Sequence, residues 1–70
     1  MVDRISLNVE GMSGDQSAKV IEENVTAISG VDSVLVHLEN STVDVEFNKD
    51  VVQVKQITKT IEDRGFRVSQ

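Results

Sequence analysis

Seventy residues make one small domain, 1–70, near the length at which a single apolar core must hold a chain together without staples. There is no cysteine, which excludes disulfides, thiolate metal sites and redox dithiols. Twelve acidic residues against seven basic ones give a net charge of -5, the wrong sign for neutralising phosphates, and two phenylalanines are too few for a base-stacking platform. Nucleic acid is thereby excluded as a partner, and basic surfaces are favoured.

Asp3 and Arg4 interrupt any apolar run at the start, and no stretch approaches the roughly 20 apolar residues of a membrane span. The expectation is a soluble, cytoplasmic monomer. Ile5, Leu7 and Val9 alternate with Arg4, Ser6 and Asn8, the period-2 pattern of a strand with one buried face. After Gly11-Met12-Ser13-Gly14-Asp15-Gln16-Ser17, the residues Ala18, Ile21, Val25 and Ile28 recur at spacings of three and four. That spacing predicts a helix starting near Gln16, with Lys19, Glu22, Glu23 and Thr26 facing water and Gly30 as its stop.

Val34, Val36 and Leu38 alternate with Leu35 and His37, and Val43, Val45 and Phe47 with Asp44 and Glu46. The two runs predict a hairpin around the turn Glu39-Asn40-Ser41-Thr42. Val54, Ile57 and Ile61 predict a second helix, ended by Gly65 before a short strand around Phe66 and Val68. The order is β-α-β-β-α-β, an α+β chain. One apolar face per element calls for a ferredoxin-like sandwich: a four-stranded antiparallel sheet with two helices on one face. The uncovered face would carry Arg4, Ser6, Asn8, Leu35, His37, Asp44, Glu46 and Arg67.

The segment Gly11 to Ser17 resembles the Gly-Met-Thr/Ser-Cys-x-x-Cys loop of heavy-metal-associated domains, above all the bacterial copper chaperones of CopZ type. The resemblance runs on through Ala18-Lys19, Gly30-Val31, Val43-Asp44-Val45-Glu46-Phe47 and Ile61-Glu62-Asp63-Arg64-Gly65-Phe66, and so covers nearly the whole chain. It implies the same fold, with the first and third strands central. In that family the two cysteines clasp Cu(I); here those positions are Gly14 and Ser17. Gln53 also departs, standing where relatives often have a serine that starts the second helix. The resemblance further implies that Gly11, Met12 and Phe66 support the loop, with Met12 pointing into the core. It implies docking through Ser13, Asp15, Gln16, Lys19, Glu22 and Glu23. The partners would be heavy-metal-associated domains of a copper P-type ATPase, or a copper-responsive repressor.

Two thiolates suit Cu(I) because both are soft and can bind almost linearly, and a helix N-terminus helps to ionise them. Gly14 has no side chain and Ser17 offers only a hydroxyl, so no metal is expected to bind this chain as written. A rebuilt loop for a hard cation or small ligand is the alternative. Glu10 and Asp15 are then its only carboxylates, where calcium gathers about six to eight oxygens. A purely structural or designed module is a third reading. The loop's polar residues instead fit helix capping: Ser13-x-x-Gln16 has the form of a capping box, and Asp15 or Ser17 could cap alternative starts. His37, the one histidine, falls on the wet face of the second strand with no carboxylate cluster or second histidine spaced to join it. It reads as a solvated side chain. The pairs Glu22-Glu23 and Glu62-Asp63 lie on solvent faces rather than converging on a substrate, so no catalytic constellation is present and the chain is not expected to be an enzyme.

Overall fold

The computed structural model describes residues 2–69. Strand β1 (Val2–Glu10) leads through the loop to helix α1 (Asp15–Thr26). Strands β2 (Val31–His37) and β3 (Thr42–Asn48) form a hairpin, followed by helix α2 (Val54–Glu62) and strand β4 (Arg67–Ser69). The sheet order is β2-β3-β1-β4 and every pairing is antiparallel. The two helices cover one face, α1 against β2 and α2 beside β4. This is the ferredoxin-like sandwich, with β1 and β3 central as expected.

Strand alternation carries directly into packing. Leu7 and Val9 of β1, Val43, Val45 and Phe47 of β3, Ile21 and Val25 of α1, and Ile57 and Ile61 of α2 are buried together with Val52. No polar side chain is buried among the described residues. Each such aliphatic or aromatic side chain contributes about 1.5–3 kcal/mol through removal from water, and none of that gain is offset by an orphaned polar group.

Three local expectations are corrected. Helix α1 ends at Thr26, so Ile28 lies beyond it, yet Ile28 still packs on the core while its N–H donates to Val25 C=O at 3.0 Å. Gly30 therefore stands past the helix end and turns the chain into β2 at φ +97. Its carbonyl accepts from Asn48 N–H at 2.7 Å, and a Cβ there would lie 2.8 Å from Val51. The hairpin turn closes one residue earlier than expected, because Ser41 adopts φ 56 and its carbonyl accepts from Val9 N–H at 2.8 Å. Thr42 consequently belongs to β3 and Leu38 to the turn. β2 also starts earlier, at Val31, with a register shift that leaves Asp32 exposed.

Candidate functional site: the loop between β1 and α1

β1 delivers the chain to one end of the sheet, where Gly11 turns it at φ +100 beside the ring of Phe66. A Cβ on Gly11 would touch Phe66 Cδ1 at 3.6 Å. Met12 and Phe66 are half-buried and both pack against the core. Gly14 is extended, at φ 160 and ψ -169, and its carbonyl accepts from Ala18 N–H at 3.1 Å to close the first helical turn.

Gly14 is therefore the N-cap of α1, and no side chain caps the helix. The expected Ser13–Gln16 capping box does not form, because the extended Gly14 pushes Ser13 one position outside the helix. Asp15 is the first helical residue and Ser17 the third, so neither caps an alternative start. Asp15 acts on the helix only as a negative charge in its first turn. Ser17 reaches back instead: its Oγ accepts from Ser13 N–H at 3.4 Å and lies 3.3 Å from Ser13 Oγ. At the start of α2, Gln56 reaches back to the cap, its Oε1 accepting from Gln53 N–H at 3.1 Å. Gln53 thus stands as the N-cap of α2.

The loop lines a shallow depression of roughly 460 Å³ that runs from Ser13 and Gly14 past Ser17 and Val20 to Arg64 and Phe66. Val20 and Arg64 were not among the expected site residues. Arg64 reaches the depression from the turn that also carries Phe66, on the far side of Gly65. Ser13, Asp15, Gln16, Lys19, Glu22 and Glu23 are all exposed on this end and on the adjoining face of α1. No ion pair joins these carboxylates to a cation among the described residues.

The donor set does not fit a soft metal. Gly14 contributes no side chain, the Ser17 hydroxyl is engaged by Ser13, and the thioether of Met12 belongs to a core-packed side chain. A hard cation fares no better. Glu10 sits in register opposite Arg67, and no group of three His, Asp or Glu side chains converges among the described residues.

Sequence reasoning missed one cluster. His37 is not merely solvated: its Nε2 lies 3.1 Å from Asp44 Oδ2, and Arg4 approaches the same oxygen at 3.6 Å from β1. The Ser6 hydroxyl opposite Asp44 in the β1–β3 register, then the His37 hydrogen bond, hold the Asp44 carboxyl below its ordinary range, with the charges of His37 and Arg4 adding to them. Partial burial opposes this shift without reversing it. The pair is diagonal, since Leu35 is opposite Asp44 and His37 opposite Thr42. The hairpin register is the signal that could have found it.

The model of the heavy-metal-associated domain matches residues 6–67. The chain belongs to that family. It is 42% identical to the copper chaperone CopZ of Bacillus subtilis over 69 residues, covering 99% of this chain and all of that protein. Among solved structures, a CopZ metallochaperone superposes with a TM-score of 0.94 at 39% identity, covering 96% of this chain and all of that one. The N-terminal domain of a potential copper-translocating P-type ATPase from Bacillus subtilis, solved in its Cu(I)-loaded state, superposes with the same score at 26% identity. That match covers 99% of this chain and 86% of the ATPase domain. Within this frame the positions of the family's cysteines are Gly14 and Ser17, and the chain contains no cysteine at all.

Proposed function

We propose that this chain is a copper-chaperone-like docking domain of the copper-homeostasis lineage, cytoplasmic and non-enzymatic, that has given up carrying the ion. One observation carries the reading: the fold of copper chaperones is retained from end to end while both thiolate positions are gone. What survives without sulfur is the outer surface of the loop and α1. All six docking candidates on it are exposed, and its carboxylates Asp15, Glu22 and Glu23 outnumber the single Lys19. The partner is a heavy-metal-associated domain of a copper-translocating P-type ATPase or a copper-responsive repressor, presenting basic residues to this face. No helix among the described residues is long and apolar enough to cross a membrane.

The test is an NMR titration of the labelled chain with the N-terminal domain of the Bacillus subtilis ATPase. Saturable shifts are expected at the amides of Ser13, Asp15, Gln16, Lys19, Glu22 and Glu23, weakening as salt screens the charges. Unmoved spectra at about 1 mM partner, where even an affinity of −4 kcal/mol would register, reject the reading.

A further inference from the structure

The two edges of the sheet are finished differently. β4 is three residues long and sets Arg67 in register opposite Glu10, so that edge is short and charged. β2 is seven residues long, pairs only with β3, and has no Asp, Glu, Lys, Arg or Pro from Ser33 to Leu38. Apolar surface stays open on both of its faces. Leu35 is 55% exposed on the uncovered side, while Val34 and Val36 on the helix side are only half-buried, although their register partners Val45 and Val43 are fully buried.

Alternation decides which backbone groups of β2 lack a partner. Asn48 N–H donates to Gly30 C=O at 2.7 Å on the β2 side of β3, and Ser41 C=O accepts from Val9 N–H on the β1 side. Successive residues of a strand direct their backbone groups to opposite sides, so Glu46 and Asp44 also turn to β2, where Ser33 and Leu35 stand opposite them. The N–H and C=O groups of Val34 and Val36 therefore point away from β3, along the open edge.

We propose that two copies of this chain associate edge to edge through β2, antiparallel, about a two-fold axis that passes through Leu35 normal to the sheet. This replaces the monomer expected from the sequence, and it stands apart from the docking role proposed above. A second copy presents the same open edge, and the edge is complementary to itself. The regular part of β2 runs from Ser33, where the register shift ends, to His37, with Leu35 at its centre. About that centre Val34 stands opposite Val36 of the second copy, and the outward N–H and C=O groups of each such pair bond to one another. Leu35 packs on Leu35 of the second copy, and Ser33 faces His37, so no like charges are set opposite one another. The axis keeps all the helices on one side of a continuous sheet and sends the two β1–α1 loops to opposite ends.

Sedimentation equilibrium of the full chain from about 10 µM to about 1 mM tests this, with amide exchange read at both ends of the range. The average mass is expected to rise from one chain towards two. Raised salt should strengthen the association, because each copy carries a net charge of -5, whereas it should weaken docking on a basic partner. The Val34 and Val36 amides should exchange about tenfold more slowly at the higher concentration, with loop amides 11–17 unchanged. Leu35→Lys sets two like charges on the axis at an exposed position, and should hold the chain at one mass at about 1 mM with an unaltered circular dichroism spectrum. One mass throughout for the wild type overturns the proposal. So does a dimer that survives Leu35→Lys, or exchange slowed elsewhere than at Val34 and Val36, since either places the contact on another surface. Growth beyond two chains overturns the closed two-fold pairing.

Discussion

Ser17 Oγ lies 3.3 Å from Ser13 Oγ and within 3.4 Å of Ser13 N–H, so one of the family's two cysteine positions, Ser17, ties the loop to the first turn of α1 instead. The contact closes the loop on itself and helps to satisfy an amide near the helix start, where several N–H groups have no intrahelical partner. A loop organised by hydroxyl pairing has no vacancy that requires an ion. The core beneath it is equally complete, with ten buried apolar side chains and no buried polar group among the described residues.

Metal should therefore leave stability unchanged. Thermal unfolding in excess chelator and in excess Cu(I) under reducing conditions is expected to give one midpoint. A rise of about 4 °C or more is what a ligand contributing about 1 kcal/mol would produce in a domain of this size, and it would place Cu(I) on the native state.

Gly14→Cys with Ser17→Cys should restore tight Cu(I) binding. Gly14 is extended, a conformation any residue adopts, and a side chain there meets open space. Ser17→Cys exchanges a hydroxyl for a thiol on the same backbone. The double variant should exceed either single one by about a hundredfold or more, since the second thiolate binds within one molecule. Competition against a chromophoric Cu(I) chelator measures this, and a double variant that fails to compete would mean that the loop backbone is unsuited to the ion.

Asp15 tests the corrected cap. As the first helical residue with no capping bond, its contribution is that of a charge near the positive helix end, so Asp15→Asn and Asp15→Ala should each cost about 0.3–1 kcal/mol and match one another in urea unfolding. An alanine variant weaker than the asparagine variant by a further 1 kcal/mol or so would restore the carboxylate to capping. Loop amides should also stay unmoved in millimolar calcium or magnesium; a saturable shift centred on Gly14 to Ser17 would return Asp15 to the hard-cation reading.

Elements with one wet and one dry face were legible before any coordinates, because burial imposes a period that a sequence must display. β1, β3 and α2 follow their apolar residues closely, and the sandwich follows from pairing those faces. The loop's frame was legible as a resemblance. Its cap was not, since Ser13, Gly14, Asp15 and Ser17 are all competent within five positions and the extended backbone of Gly14 decides among them. The His37–Asp44 contact was hidden for a related reason: a diagonal pair depends on register, and register depended on the turn closing at Ser41.

The two glycines near the helix ends should respond in opposite ways to alanine. Gly30→Ala forces a side chain into φ +97 and against Val51 at 2.8 Å and Val52 at 3.1 Å, so a loss of about 1–3 kcal/mol is expected. Gly14→Ala meets neither obstacle and should cost less than about 1 kcal/mol, the difference between two N-cap residues. Chemical denaturation ranks the pair, and equal costs would refute the assignment of strain to Gly30 alone.

Acid should find Asp44. Its carboxyl is held below the ordinary range by Ser6 first, then by His37 and Arg4, so the folded state binds a proton there less readily than the unfolded chain does. For a group depressed on folding, stability is fully present above the unfolded value, about 3.9 for an aspartate, and is lost as pH falls through the lower folded value. Wild type should accordingly be more stable than Asp44→Asn from neutrality down to about pH 5, and the gap should narrow steadily below about pH 4 as the unfolded and then the folded carboxyl takes up its proton. Arg4→Gln should shrink the effect and His37→Gln should shrink it more, because the imidazole both donates a bond and approaches closer, at 3.1 Å against 3.6 Å. Urea midpoints of the four proteins between pH 7 and pH 2 measure the gap directly. A difference between wild type and Asp44→Asn that stays constant across that range would remove the carboxylate cluster as the source of acid sensitivity.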